Sequence, residues 1–255
     1  MSSAITKVFL AAVAAAGAVS ALPQGMMSSG SATAAAPAAT NSNLALIEQL
    51  ELAPSSVDRF KILLGENGDG NAQEKIVFDF NTVLNAPPTG KGGVISPSSI
   101  DNFPALVGFE ISTTIGILNP CGINTPHIHP RATEFLTVIQ GALDTGFILE
   151  NGFTNEINTT LTKFQATIFP MGSIHFQVNP NCEEAIFVAA LDSNDPGVSQ
   201  IAQNFFGLNA NVVNATLGFP KQLNGADIED FRGQIPPNVA LGIDNCLAKC
   251  NIKKN

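Results

Sequence analysis

Between about residue 75 and residue 191 the chain alternates apolar and polar positions over short runs. Phe109-Glu-Ile-Ser-Thr-Thr-Ile is one example. Successive side chains of a strand point to opposite faces, so this period of two predicts strands with one face buried. The runs expected as strands are Lys75–Phe80, Ala105–Leu118, Glu134–Gln140, Leu143–Leu149, Asn155–Leu161, Gln165–Phe169, Ile174–Val178 and Glu184–Leu191. Glycine, proline and asparagine separate them at short intervals. About eight short strands with polar turns and no helices between them predict an all-β fold, a double-sheet jelly roll.

The flanks have a different pattern. Leu44–Leu52 reads as a helix ended by Pro54. Ser55-Ser-Val-Asp58 is a capping signature for a second helix that presents Val57, Phe60 and Leu64 and stops at Gly65. After Asp192 come helix-like pieces at Val198–Phe206, Val212–Leu217, Ala226–Gln234 and Val239–Cys250, separated by prolines. Before Leu44, residues 1–21 read as a secretory signal: Lys7, an apolar stretch Val8–Ala18, and the small-residue site Val19-Ser20-Ala21. The apolar run is shorter than the roughly 20 residues a membrane span needs. Residues 22–43 are a low-complexity linker of Ser, Ala, Gly, Thr and Met. The expected organisation is thus signal 1–21, linker 22–43, helical segment 44–72, jelly roll 73–195 and helical extension 196–255. The mature protein is expected outside the cell, with no membrane segment.

Composition narrows the partners. The formal charge of −9 with no basic run argues against nucleic acid and anionic membranes. Charged residues are only 13% of the chain, so uncharged polar groups must cover much of the surface. Glu66–Asn71 is a turn without the ligand register of a calcium loop. Asn158-Thr-Thr160 and Asn214-Ala-Thr216 are glycosylation acceptors. The four cysteines, Cys121, Cys182, Cys246 and Cys250, are expected to pair in an oxidising compartment. Of three connectivities, Cys246 with Cys250 and Cys121 with Cys182 is the one expected, with free buried thiols as the alternative.

The candidate chemistry is concentrated. All three histidines lie within 49 residues, in Pro126-His127-Ile-His129-Pro-Arg131-Ala-Thr-Glu134 and in Phe169-Pro-Met-Gly-Ser-Ile-His175-Phe-Gln-Val-Asn179. On an extended segment His127 and His129 share a face, and a short turn would return Glu134 beside them. Three imidazoles and a carboxylate suit Mn(II), Fe(II), Zn(II), Cu(II) or Ni(II).

These two segments resemble the paired motifs of the cupin superfamily, specifically germins, germin-like proteins and their spherulin-type relatives. His127, His129, Glu134 and Gly141 fit the first motif, and Pro170, Gly172, His175 and Asn179 the second. The resemblance covers roughly Gln73 to Leu217. It implies Mn(II) held by His127, His129, Glu134 and His175 inside a β-barrel, and a C-terminal extension that packs between subunits of a homo-oligomer. It places Asn124 at a substrate pocket. The chain departs from the pattern where Cys121 and Phe164 replace glycines, where the paired N-terminal cysteines are missing, and where Thr114 replaces a second pocket asparagine. That last change weighs against oxalate oxidation. Asn179 is expected to end a strand, and Arg131 to pair structurally. Three functions remain open. One is a secreted manganese-dependent oxidoreductase acting on superoxide or a small carboxylate. The second is a non-catalytic extracellular or wall-associated metal protein. The third is a cupin that binds a small sugar or acid.

Overall fold

Strands dominate the computed structural model, which describes residues 43–68, 72–85, 90–153, 155–219 and 225–253. The signal and nearly all of the linker expected from the sequence lie outside the described residues. Eleven strands are present among the described residues: β1 (Gly93–Ser98), β2 (Ser112–Leu118), β3 (Gly122–Ile128), β4 (Glu134–Gln140), β5 (Ala142–Ile148), β6 (Ile157–Thr162), β7 (Ala166–Phe169), β8 (Ile174–Val178), β9 (Ala185–Leu191), β10 (Ser199–Gln200) and β11 (Ala240–Leu241). They form two antiparallel sheets, ordered β1-β2-β9-β4-β7 and β10-β3-β8-β5-β6, with β11 also on the edge of β3. From β2 to β9 the chain crosses between the sheets at every step except β5 to β6, the connectivity of a jelly roll, as the sequence predicts.

The inward faces meet in one apolar cluster of Leu118, Leu136, Val138, Leu143, Leu161, Phe169, Ala185, Phe187, Ala189 and Val239. β9 shows the cause: Ala185, Phe187, Ala189 and Leu191 alternate inward and are all buried. Burying a side chain the size of Phe187 contributes about 1.5–3 kcal/mol. Gly116 makes room for it, because a Cβ there would lie 2.1 Å from Phe187 Cζ.

Helices α1 (Leu44–Leu52) and α2 (Ser56–Leu64) form as the apolar spacing predicts. The Ser55 side chain caps α2 by accepting from Asp58 N, and Gly65, at φ 85°, follows its last turn. Ile47, Leu50 and Leu63 pack on Val107 in a second, smaller cluster. Further helices are α3 (Ala72–Ile76), α4 (Asn81–Leu84), α5 (Ile201–Gly207), α6 (Ala210–Thr216), α7 (Gly225–Arg232) and α8 (Asp244–Lys249). Among the described residues no helix is long and apolar enough to cross a membrane.

Four expectations need correction. Lys75–Phe80 is not a strand: it runs from α3 into a turn, and Phe78 packs on Phe80 and Phe103 at centroid distances of 4.8 and 5.5 Å. Ala105–Leu118 is not continuous, because the chain turns at Gly108 (φ 80°) and Glu110 (φ 46°), so only Ser112–Leu118 is strand. Val239–Cys250 begins as β11 before becoming α8. The disulfides join Cys121 to Cys246 and Cys182 to Cys250. Cys246 and Cys250 sit a turn apart on α8 and its C-cap, and each reaches across to the sheets instead of to the other. The result is a doubly stapled C-terminal strap.

Candidate metal centre

The local folding of the two motifs brings the four residues together. β3 pairs with β8 so that His127 lies opposite His175. The register of that pair shifts between Asn124 and His127, and Pro126 sits within the irregularity. His129 follows the end of β3, and Glu134 opens β4. The ligand atoms of His127, His129, Glu134 and His175 all lie within 4.8 Å of one another. His127, Glu134 and His175 are buried and His129 is nearly so. The Phe169 ring stacks on His175 at 4.4 Å, which joins the apolar core to the polar site.

The backbone settles which imidazole nitrogen faces the centre. His127 Nδ1 lies 2.8 Å from Thr125 O, His129 Nδ1 2.6 Å from Gly197 O, and His175 Nδ1 2.9 Å from Ser173 O. A carbonyl only accepts, so each Nδ1 carries its proton and donates. Each Nε2 is thereby directed inward as a potential ligand, the usual outer support of a metal-binding histidine.

The electrostatics follow from the contacts among these four side chains. Glu134 Oε2 is 2.9 Å from His129 Nε2 and 3.4 Å from His175 Nε2. Burial would raise the Glu134 pKa, but the His129 and His175 imidazoles beside the carboxylate outweigh it and hold the carboxyl at about 2. Burial would lower His129, but the Glu134 carboxylate outweighs it and raises the pKa. Burial, with His175 beside it, pushes His127 down to about 3. Three imidazole nitrogens, one carboxylate oxygen and carbonyl-anchored rings fit a divalent transition metal.

The remaining candidates divide. Asn124, on β3 and nearly fully buried, lies opposite Gln177 of β8 and three residues before His127. Its amide is engaged: Nδ2 donates to Gln177 Oε1 at 2.7 Å, and Oδ1 accepts from Asn238 Nδ2 at 2.6 Å. Sequence reasoning passed over both partners. Gln177 was open to it, since it follows His175 by two on one strand and so shares its face. Asn238 was not, being 114 residues from Asn124. Asn179 Nδ2 donates to the carbonyls of Leu118, Asn119 and Glu183, which ends β8 as expected. Arg131 is exposed and pairs with Asp195 at 2.8 Å, also as expected. Asn158 is exposed on β6, whereas Asn214 is half-buried on α6 with its Oδ1 enclosed. Cys121 (φ 59°) and Phe164 (φ 65°), which stand where the germin pattern has glycine, keep a left-handed backbone.

Jelly roll and site together define the class. Residues 82–224 match the cupin family, and the chain belongs to it. Within that class it is 40% identical to spherulin-1A of Physarum polycephalum over 205 residues, 80% of this chain and 78% of that one. It is 34% identical to germin-like protein 1-3 of Oryza sativa subsp. japonica over 163 residues, 63% of this chain and 72% of that one. Among solved structures, an oxalate oxidase in complex with glycolate superposes with a TM-score of 0.55 at 24% identity, covering 64% of this chain and 84% of that one. That likeness shows the fold.

Proposed function

We propose that this germin-like cupin is a secreted Mn(II) protein whose centre, His127, His129, Glu134 and His175, serves an oxidoreductase acting on superoxide or a small carboxylate. The observation that carries the reading is the convergence of four buried ligand atoms with all three Nδ1 atoms tied to carbonyls. Bound there, manganese would supply one-electron redox chemistry and open positions for a small oxygen-bearing substrate. The chain's own part is to turn three imidazole Nε2 atoms inward, to supply one carboxylate and to exclude bulk water with Phe169. The similarity to germin-like proteins supports manganese over zinc. Thr114, in place of a second pocket asparagine, favours superoxide or another carboxylate over oxalate. A homo-oligomer is supported by exposed apolar side chains around β4, with Phe135 and Ile168 cross-strand neighbours and Phe109 and Ile111 near them.

The test is elemental analysis of the protein purified from culture medium, with superoxide and oxalate assays before and after chelation. About one manganese per chain and chelation-sensitive turnover are expected. Bound metal without turnover would leave the non-catalytic metal protein. No bound metal would sink the assignment.

A further inference from the structure

The three imidazoles are not held in the same way. His127 Nδ1 donates to Thr125 O and His175 Nδ1 to Ser173 O, each two residues back along the chain. Whatever places those rings places their acceptors as well. His129 Nδ1 donates to Gly197 O, 68 residues away, at 2.6 Å. Its orientation therefore depends on the segment 192–198 between β9 and β10, which is neither strand nor helix. That segment is tied at both ends. Thr133 N donates to Asp192 Oδ1 at 2.6 Å, and Ser199 of β10 pairs with Ile128. Its middle is gripped by Arg131, two residues after His129 in the turn that leads to Glu134. Arg131 Nε donates to Asp195 O at 2.8 Å, Nη2 to Asp195 Oδ1 at 2.8 Å, and the backbone N to Pro196 O at 3.2 Å. The fit is close: a Cβ on Gly197, at φ 64°, would lie 2.9 Å from Arg131 Nη2 and 3.0 Å from Pro130 Cγ. An exposed ion pair by itself contributes little. Here one planar fork spans a backbone and a side-chain oxygen of the same residue, so it fixes position and not charge alone.

We infer that Arg131 is a positioning residue for the metal centre: it holds Asp195 and Pro196 so that Gly197 O meets His129 Nδ1 and turns His129 Nε2 inward. The inference rests on the reading of that centre as a metal site. It gives a use to an arginine outside the ligand set and to the glycine at 197, where a side chain would displace the guanidinium. It also singles out His129 as the ligand whose hold can be loosened by itself, since the other two keep acceptors on their own segments.

Three variants separate the parts. Arg131→Ala removes the grip. Arg131→Lys keeps the charge but cannot span both oxygens. Asp195→Ala leaves Nε bonded to the backbone carbonyl. Two measurements are made on the parent and on each variant. The first follows exchange of the three imidazole Nδ1 protons with water, by NMR on the chelated protein. In Arg131→Ala and Arg131→Lys the His129 proton should exchange about tenfold faster, as losing one hydrogen bond implies, while His127 and His175 keep the parental rates. The second is Zn(II) affinity, measured by competition with a chelator. It should fall about tenfold in Arg131→Ala, the lower end of what outer support of a ligand contributes. Arg131→Lys should fall nearly as far, and Asp195→Ala about threefold.

A Zn(II) affinity in Arg131→Ala within about twofold of the parent, or an unchanged His129 proton, would overturn the inference. So would equal acceleration of all three imidazole protons in a folded variant, which is what general loosening would give. Arg131→Lys behaving as the parent, or Asp195→Ala losing more than Arg131→Ala, would also overturn it. A parent that takes up no Zn(II) would defeat the reading of the centre alone. Proton exchange in the chelated protein would then decide whether Arg131 positions His129.

Discussion

Glu134→Gln isolates the one anionic ligand at nearly constant shape. Glu134 is 3% exposed and its Oε2 contacts two imidazoles. Consider first the parent with metal at a hundredfold excess over Kd. Binding to the folded state alone then stabilises it by about 2.7 kcal/mol. For a domain of some 200 residues each kcal/mol moves Tm by about 2–4 °C, so metal should raise Tm by about 5–11 °C. Mutating groups that merely support ligands costs about 10–100-fold in metal affinity, so loss of a ligand should reach at least the upper end. At ~100-fold weaker binding the same metal concentration only equals Kd, and the increment shrinks to ~0.4 kcal/mol, or under about 2 °C. The chelated variant should itself be less stable, because a charge-assisted buried hydrogen bond contributes about 1.5–3 kcal/mol. Scanning calorimetry on each protein, chelated and metal-saturated, separates the two effects. A full metal increment in Glu134→Gln would refute the role of the carboxylate, and no increment in the parent would refute the centre.

The chelated protein should be most stable near pH 6.5 as far as these imidazoles govern it. His129, raised when folded, keeps a proton that the unfolded chain loses above 6.5, so its contribution disappears as pH rises through the folded value. His127, held at about 3, works the other way and costs stability as pH falls from 6.5; a monotonic rise of Tm between pH 6 and 9 would contradict this. Replacing Cys182 and Cys250 by Ser opens a 68-residue separation and should cost up to ~4 kcal/mol in denaturant unfolding, while a non-reducing peptide map should join Cys121 to Cys246. Mass spectrometry of secreted protein should find glycan on Asn158 and not on Asn214, whose amide is partly enclosed. Phe164→Gly should raise stability by up to ~1 kcal/mol, since Phe164 is 73% exposed and holds φ 65°; a fall in Tm would show that its ring, under Lys163 Nζ, packs better than its exposure implies.

The metal ligands were legible because each motif is local. Alternation alone aims His127 and His129 together, and proline brackets keep that segment extended. What brings the two motifs into register, the β3–β8 pairing, is not local, and Gly122–Ile128 was not among the runs expected as strands because its proline and asparagine resemble a turn. Strands were missed where composition misleads. β1 contains Pro97, which counts against a central strand but is tolerated here because β1 is a sheet edge. Phe78 and Phe80 look like strand residues, but their rings are satisfied by each other and by Phe103. The disulfides were misjudged because closeness in sequence was given weight, whereas pairing depends on where the strap lies.

That strap also accounts for the chain's departure from the germin pattern at position 121. Glycine would adopt φ 59° there without strain, while cysteine carries a cost of about 1–2 kcal/mol. The same residue is fully buried and bonded to Cys246, so the cost is offset by a cross-link closing 125 residues. The next residue has no such latitude, since a Cβ on Gly122 would lie 1.9 Å from Gly92 O. Glycine is therefore retained where backbones touch and given up one place earlier, where a side chain can hold the C-terminal segment. What that segment delivers is Val239 to the apolar core and Asn238 to the edge of β3, and neither position is supplied by the jelly roll itself. Loss of a glycine that looks like drift in a loop is, in three dimensions, the anchoring point of the segment that covers the edge of β3.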